Sequence, residues 1–317
     1  MKIINRFQIK KEGDLLYSKL EIRNFLKHHK PEYAENFVFA VMELGTNILK
    51  HAKEGEIWLL GEENEYMIAA LDKGEGIKDL NWALKEGNST SNTLGIGLSS
   101  LQKIEGFCIS ILSLKDKIYK GTAVLFRPKK LKSSYVILQR NFMDLQYGGD
   151  FFYKKGKFFI IGDVNGHGIK ARKSAERIIE FFKSRAISCV VIDDIFNDLH
   201  GFIKNNDLRG VVLSIVEKTK FISVCGIGNI KIFVKRLKNV EIYSQNEGIV
   251  GEFFSSYTKY VFDVKNALIG AFTDGIEEKV VKEVFSLNDD IYLCAVSSVF
   301  FSNIQDDKTI LIFKEEK

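Results

Sequence analysis

The sequence predicts a mixed α/β protein, an α+β chain of two domains whose halves differ in texture. Three observations lead there. A chain of 317 residues exceeds a usual single core and falls short of three domains. Up to about residue 130 the apolar pattern reads helix, helix, strand, strand, loop, helix, strand, strand, which makes an α/β sandwich. Beyond "PKKLKSS" it changes to paired strands with one early helix, the pattern of a second, sheet-rich domain.

The elements follow in order. From Asp14, "DLLYSKLEIRNFLKHH" predicts a helix with Leu16, Leu20 and Leu26 near one face, ended by Pro31, which opens the next helix. That second helix is expected from about Glu32 to Ala52. "EIWLL" and "YMIAALD" read as strands, and glycine-punctuated loops lead to a helix over Leu98 to Ile104 and strands at "FCISILSL" and "TAVLFR". In the second half, "SYVILQR", "DFFYKKGKFFIIGD", "VVLSIVE", "FISVCGIG", "IKIFVKR" and "ALIGAFTD" read as strands, with a helix at Lys170 to Lys183. Lys155-Gly156 is expected to turn the hairpin inside "DFFYKKGKFFIIGD". The domain boundary is expected at 130/131.

Composition excludes several classes. Hydrophobic content of 45%, charged content of 27% and 25 Phe against 2 Pro belong to packed cores, not to a disordered chain. No apolar run reaches the length of a membrane span, and "MKIINRFQIK" lacks the apolar middle of a signal peptide, so a cytoplasmic protein with no membrane partner is expected. Cys108, Cys189, Cys225 and Cys294 lie far apart without metal-ligand spacing and read as buried thiols. The net charge of +5 is modest, and the basic run "YKGTAVLFRPKKLK" reads as a solvated linker, so no nucleic-acid partner is expected.

Two groups of residues carry chemistry. The first begins in "ELGTNILKHA", where Glu43, Asn47 and His51 recur every four residues and so share one face of a helix. Downstream, "LDKGEGIKD" follows a strand with Asp72, Gly74 and Gly76, and "NTLGIGL" places Gly95 and Gly97 at a helix entrance, where freed backbone N–H groups cradle phosphate. No GxxxxGK[ST] occurs, so this is not a P-loop. "ELGTNILKHA", "DKGEGI", "ALKEGNSTSNTLGIGL" and "GTAVLF", in this order, resemble the GHKL (Bergerat-fold) ATPases, and within them the RsbT-like Ser/Thr switch kinases. The resemblance covers residues 1–130 and implies a Bergerat-type α/β sandwich that binds ATP. It implies Asn47 as the residue holding Mg²⁺ against the phosphates, Glu43 as catalytic base and Asp72 as the acceptor for the adenine amino group. Gly74, Gly76, Gly95 and Gly97 would shape the pocket, and His51 reads as a helix-end packing residue.

The second group is a series of aspartates in strand-to-turn settings: "GGDFF", "IGDVNGHG", "FTDGIEE" and "QDDKT". Asp150 and Asp163 flank the expected hairpin, so their carboxylates can meet at its open end. Converging carboxylates repel one another unless cations neutralise them, and an all-oxygen set favours Mg²⁺ or Mn²⁺. A two-metal hydrolytic centre is the economical expectation. With "GIGN" at Gly226 to Asn229, these stretches resemble the SpoIIE/RsbU/RsbX branch of the metal-dependent type 2C Ser/Thr phosphatases, over about residues 134–315 of a domain expected at 131–317. The resemblance implies an α/β/β/α sandwich, Asp150 and Asp163 bridging the metals, the carbonyl of Val164 as a ligand, and Asp274 and Asp306 completing the shells. Asp306 is preferred to Asp307, and His167 reads as a loop residue.

Together these readings give the expectation of a bifunctional partner-switching regulator. A switch kinase would be fused to a phosphatase, both acting on a STAS-type antagonist or another phosphoprotein, with ATP, Mg²⁺ and Mn²⁺ as cofactors. A phosphatase whose ATP-binding domain only senses nucleotide or docks partners, and a non-enzymatic sequestering scaffold, are the alternatives. The oligomeric state stays open.

Overall fold

The structure is a computed structural model that describes residues 1–80, 97–115, 119–142, 148–184 and 192–315. It forms two compact units, Met1–Ser133 with Tyr292–Phe301, and Ser134–Ile291 with Ser302–Lys317. Among the described residues, no helix is long and apolar enough to cross a membrane. The architecture is mixed α/β, with antiparallel sheets throughout.

The first unit is built on a five-stranded sheet of order β1-β2-β3-β5-β4, from β1 (Lys2–Ile9), β2 (Gly55–Glu62), β3 (Glu65–Asp72), β4 (Phe107–Leu114) and β5 (Gly121–Pro128). Strand β1 is absent from the order read from the sequence. It pairs with β2 along its whole length, with one irregularity at Ile3/Asn5. Helices α1 (Glu12–His29) and α2 (Ala34–Asn47) pack their apolar residues with those of one sheet face, where Leu15, Ile22, Leu26, Phe37, Val41 and Leu44 join Ile57, Ile68 and Phe126. Contrary to the expected face, Leu16 and Leu20 point outward, at 50% and 54% exposure, and α1 turns Leu15, Ser18, Ile22 and Leu26 inward. Both sets satisfy helical spacing, so contact with α2 and the sheet decides between them.

The helix expected over Glu32 to Ala52 divides into a 3₁₀ turn at Pro31–Tyr33, α2, and a π-helical turn at Ile48–Ala52. Pro31 fixes φ for that first turn. The run expected to be a linker contains β5, a strand paired on both edges, and its Lys130 binds Glu65 at 3.0 Å.

The other sheet face buries Trp58, Leu60, Met67, Ala69, Leu71 and Leu125 completely, and so do the strands as near-continuous apolar runs. Phe300 stands edge-on to Trp58 at 6.2 Å between centroids, and Arg127 lies over the Tyr292 ring. Sequence places residues 292–301 in the second domain, whereas their contacts group them with the first unit. They are buried all round, and a helix without a polar stripe carries no sign of which surface it will cover.

In the second unit two five-stranded sheets stack. One has the order β15-β10-β9-β8-β7, from β7 (Asp150–Lys155), β8 (Phe158–Val164), β9 (Val211–Lys218), β10 (Phe221–Ile227) and β15 (Thr258–Asp263). The other has the order β12-β11-β16-β17-β6, from β6 (Tyr135–Arg140), β11 (Lys231–Arg236), β12 (Asn239–Tyr243), β16 (Ala267–Phe272) and β17 (Lys308–Lys314). A short ribbon of β13 (Gly248–Ile249) and β14 (Phe253–Phe254) lies apart.

"FFII" in β8 shows how the layers are filled. Phe159 and Ile161 enter the core between the sheets, while Phe158 and Ile160 enter the core under α4 (Ile169–Ser184) and α5 (Ile192–Asn205). On the second sheet Phe233 meets Phe285 of α6 (Glu278–Leu287) at 4.4 Å. The result is a helix, sheet, sheet, helix sandwich. Among the described residues the first unit also contains α3 (Gly97–Gln102) and most of α7 (Ile291–Phe301).

Phe37 stacks on Tyr33 and meets Phe107 and Phe126 edge-on at 5.9 and 5.6 Å. Phe37→Ala is expected to destabilise the first unit by about 3–5 kcal/mol. Urea titration followed by tryptophan fluorescence checks this, since the buried Trp58 lies there: the midpoint should fall with little change in slope.

Candidate nucleotide pocket and metal centre

In the first unit, Glu43 and Asn47 sit one turn apart on α2, both half-buried, so they share a face. The wider π turn that follows changes the helical phase, and His51 is exposed rather than continuing their line. Asp72 ends β3. Its Oδ1 accepts the backbone N–H groups of Gly74 and Thr122 at 2.8 and 3.3 Å, which leaves Oδ2 without a donor among the described residues. Burial raises its carboxyl above the ordinary value, against the pull of those two N–H groups.

The loop after Asp72 is wedged tightly in place. A Cβ on Gly74 would lie 2.9 Å from Cβ of Ala52, at the end of the helix that carries Asn47. Gly76 has φ +72°, and a Cβ there would meet the Leu114 carbonyl at 2.7 Å. Ser113 Oγ accepts the Ile77 N–H at 2.6 Å and holds the far end of the loop. Gly95 lies outside the described residues, and Gly97 is the first residue of α3.

In the second unit, β7 and β8 pair Asp150 directly opposite Asp163. The hairpin turn lies at Gly156-Lys157, one residue later than expected, because Lys155 pairs with Phe158 and Gly156 takes φ +58°. Asp150 is 1% exposed. Its Oδ2 accepts the hydroxyls of Thr273 at 2.8 Å and Thr309 at 2.7 Å, just beyond β16 and within β17. Burial first, then the charge on Asp163, pushes the Asp150 carboxyl well above the usual range, against both hydroxyls. Asp163 is raised to about 8 by burial and by Asp274, Asp306 and Asp307. Asp274 is raised by burial and by Asp306, and its Oδ2 accepts Asn229 Nδ2 at 2.7 Å.

The two adjacent aspartates before β17 differ in use. Asp307 is buried, with Oδ1 accepting Phe142 N–H at 2.7 Å and Oδ2 accepting Gly149 N–H at 2.6 Å, so it holds the backbone that leads into β7. Asp306 is exposed and, among the described residues, accepts the N–H of its neighbour alone, at 2.8 Å. Val164 ends β8 in ordinary extended backbone. A Cβ on Gly149 would lie 2.7 Å from the Val164 carbonyl oxygen, 2.8 Å from that of Gly166 and 3.3 Å from Asp163 Oδ1. Three oxygens therefore turn toward one small residue.

Among the described residues, no three His, Cys, Asp or Glu side chains close into a ready-made ion cage. The available donors are all hard oxygens, carboxylate and carbonyl, which fit Mg²⁺ or Mn²⁺. Thr273, Thr309 and Asn229 escape a search for acidic motifs, yet each threonine sits within three residues of an aspartate, in "FTDG" and "DDKT", where a hydroxyl donor for a buried carboxylate is legible.

No family model matches this chain, and no curated protein does. Among solved structures it is similar to PppA, a key regulatory component of the T6SS in Pseudomonas aeruginosa, at 11% identity and TM-score 0.50 over 57% of this chain and 98% of that one. It is also similar to RsbX in complex with magnesium, at 19% identity and TM-score 0.48 over 56% of this chain and 92% of that one. A third is the Mycobacterium tuberculosis serine/threonine phosphatase PstP/Ppp, at 9% identity and TM-score 0.47 over 57% and 98%. The likeness to PppA is one of fold, and the share matched exceeds the first unit.

A carboxyl whose folded pKa lies above its unfolded value stabilises at low pH and loses that contribution as pH rises through the folded value. For Asp163 the window runs from the ordinary 3.8 to about 8. In EDTA, the melting temperature should therefore fall across this range and level off above it, and Asp163→Asn should flatten the profile and melt at or above wild type near pH 8. Thermal melts across pH decide; an unchanged slope in the variant refutes the assignment.

Proposed function

We propose that the second unit is a metal-dependent type 2C phosphatase of phosphoserine and phosphothreonine in proteins. We further propose that the first unit is an ATP-binding GHKL-type Ser/Thr kinase acting in the same partner switch, on a STAS-domain antagonist. One observation carries the phosphatase reading: Asp150 and Asp163 face each other across β7 and β8 while Asp274 and Asp306 act on Asp163 through space. Asp150, Asp163, Asp274, Asp306 and the Val164 carbonyl would hold divalent cations. Bound there, Mg²⁺ or Mn²⁺ supplies Lewis-acid polarisation of a phosphate ester and an activated water.

The protein's own groups prepare this chemistry. The two threonine hydroxyls fix Asp150, Asn229 orients Asp274, and Asp307 anchors the Gly149 backbone. Burial and the neighbouring aspartates raise the Asp163 carboxyl to about 8, so a divalent cation held there would compete with protons. In the first unit, the shared face of Glu43 and Asn47 and the free oxygen of Asp72 support the nucleotide reading. Asn47 contributes a carboxamide oxygen for Mg²⁺, and Glu43 a carboxylate able to accept a hydroxyl proton.

Incubation of the protein with labelled Mg-ATP and STAS-domain proteins, followed by Mn²⁺, tests the whole reading: label should pass to a partner and then leave it. Asp150→Asn and Asp163→Asn should each lower Mn²⁺-dependent phosphoserine hydrolysis by orders of magnitude while the fold survives. Retained hydrolysis in either variant removes that residue from the metal centre. Asn47→Ala should weaken Mg-ATP at least tenfold by calorimetry, about 1.4 kcal/mol. Glu43→Ala should leave nucleotide binding intact and stop transfer. Label that still reaches the partner at the wild-type rate removes Glu43 from the mechanism.

A further inference from the structure

Arg209 is a half-buried cation beside the metal-centre loop that none of the aspartate chemistry accounts for. The pairing Val164↔Val211 continues past both strand ends, where Asn165 N–H donates to the Gly210 carbonyl at 2.9 Å. Arg209 thus stands at the end of the sheet that carries Asp163. Its Nη1 donates to the Asn165 carbonyl at 2.9 Å, and its backbone N–H is held by Ser174 Oγ at 3.1 Å. The guanidinium covers Gly166 so closely that a Cβ there would fall 2.1 Å from Nη1.

A guanidinium has five N–H donors and a permanent charge. Here one nitrogen serves a neutral carbonyl, and among the described residues no carboxylate lies within ion-pair reach of Arg209. Two arginines of α4 are ion-paired, Arg172 with Glu176 and Arg177 with Glu180, whereas Arg236, like Arg209, donates to a backbone carbonyl. Glu252, which borders Gly210, accepts Asn165 Nδ2 at 3.3 Å instead. The loop that Arg209 covers, Asn165–Gly168, runs from Val164 straight into the N-terminus of the sixteen-residue α4, whose dipole also favours an anion. A cation kept unpaired there stands ready for a dianion that the surrounding aspartates would otherwise repel.

We infer that Arg209 binds the phosphoryl oxygens of the phosphorylated substrate, presenting its planar fork to two of them. This rests on the phosphatase reading of the same centre. The substrate class is a phosphomonoester dianion, and inorganic phosphate, the product, binds at the same place.

The test uses the full chain loaded with Mn²⁺ and three variants, Arg209→Ala, Arg209→Lys and Arg209→Gln. Glutamine retains a donor for the Asn165 carbonyl but lacks the charge, so it separates anion binding from loop support and serves if the alanine variant does not fold. KM and kcat for a phosphoserine peptide, the inhibition constant of inorganic phosphate, and Mn²⁺ affinity by calorimetry are measured. Alanine and glutamine should raise both KM and the phosphate inhibition constant tenfold or more, with Mn²⁺ affinity within twofold of wild type and lysine intermediate. Unchanged phosphate inhibition overturns the inference, and so does a parallel loss of Mn²⁺ affinity, which would make Arg209 a support for the loop. Phosphate calorimetry reads the same contrast without turnover. A wild type that binds Mn²⁺ and phosphate yet hydrolyses nothing defeats the phosphatase reading and leaves the Arg209 result interpretable.

Discussion

Two carboxylates set opposite each other on adjacent strands are the constraint around which the second unit is organised. Like charges in such a pair repel, and Asp150 is in addition nearly sealed from solvent. The surroundings answer this with donors from the other sheet. Thr273 and Thr309 flank the β16/β17 pairing and both donate to Asp150 Oδ2, while Gln139 of β6 donates to the Asp150 carbonyl at 2.6 Å. The centre therefore fastens β7 of one sheet to β6, β16 and β17 of the other, and the sandwich and its site depend on the same few hydrogen bonds.

Asp307 shows how two acids in sequence divide labour. Its buried carboxylate is occupied by backbone N–H groups on both sides of residues 143–147, which makes it part of the frame. Asp306, one residue earlier and exposed, stays available to Asp163 and Asp274 through space. Gly148 and Gly149 are small for a related reason: a Cβ on the first would strike the Asp307 carboxylate at 2.6 Å, and on the second the Val164 carbonyl at 2.7 Å. The glycines before Asp150 are thus part of the centre although they carry no side chain.

In the first unit the same economy holds around Asp72. One oxygen fixes the turn into Gly74 and the start of β5, and the other has no donor among the described residues. The loop is trapped between Ala52 and Leu114, so the face bearing Glu43 and Asn47 and the turn bearing Asp72 are tied to one helix end. His51 stands outside this group because the π turn intervenes between it and Asn47.

Sequence by itself determined what depends on local order. Strand alternation and a central glycine made the β7–β8 hairpin readable, and a hairpin with aspartates at both ends can only bring them together, so Asp150 and Asp163 were legible as a pair. Four-residue spacing likewise placed Glu43 with Asn47. Tertiary structure alone decided what depends on distant partners. Leu15 rather than Leu16 faces inward because α2 and the sheet lie on that side; β1 exists because β2 offers it an edge; and Tyr292–Phe301, buried all round and uncharged, could have covered any sheet. The pairing of Thr273 and Thr309 with Asp150 in particular forms only when strands remote in the chain meet, because a hydrogen bond between residues more than a hundred positions apart leaves no periodic trace in the sequence.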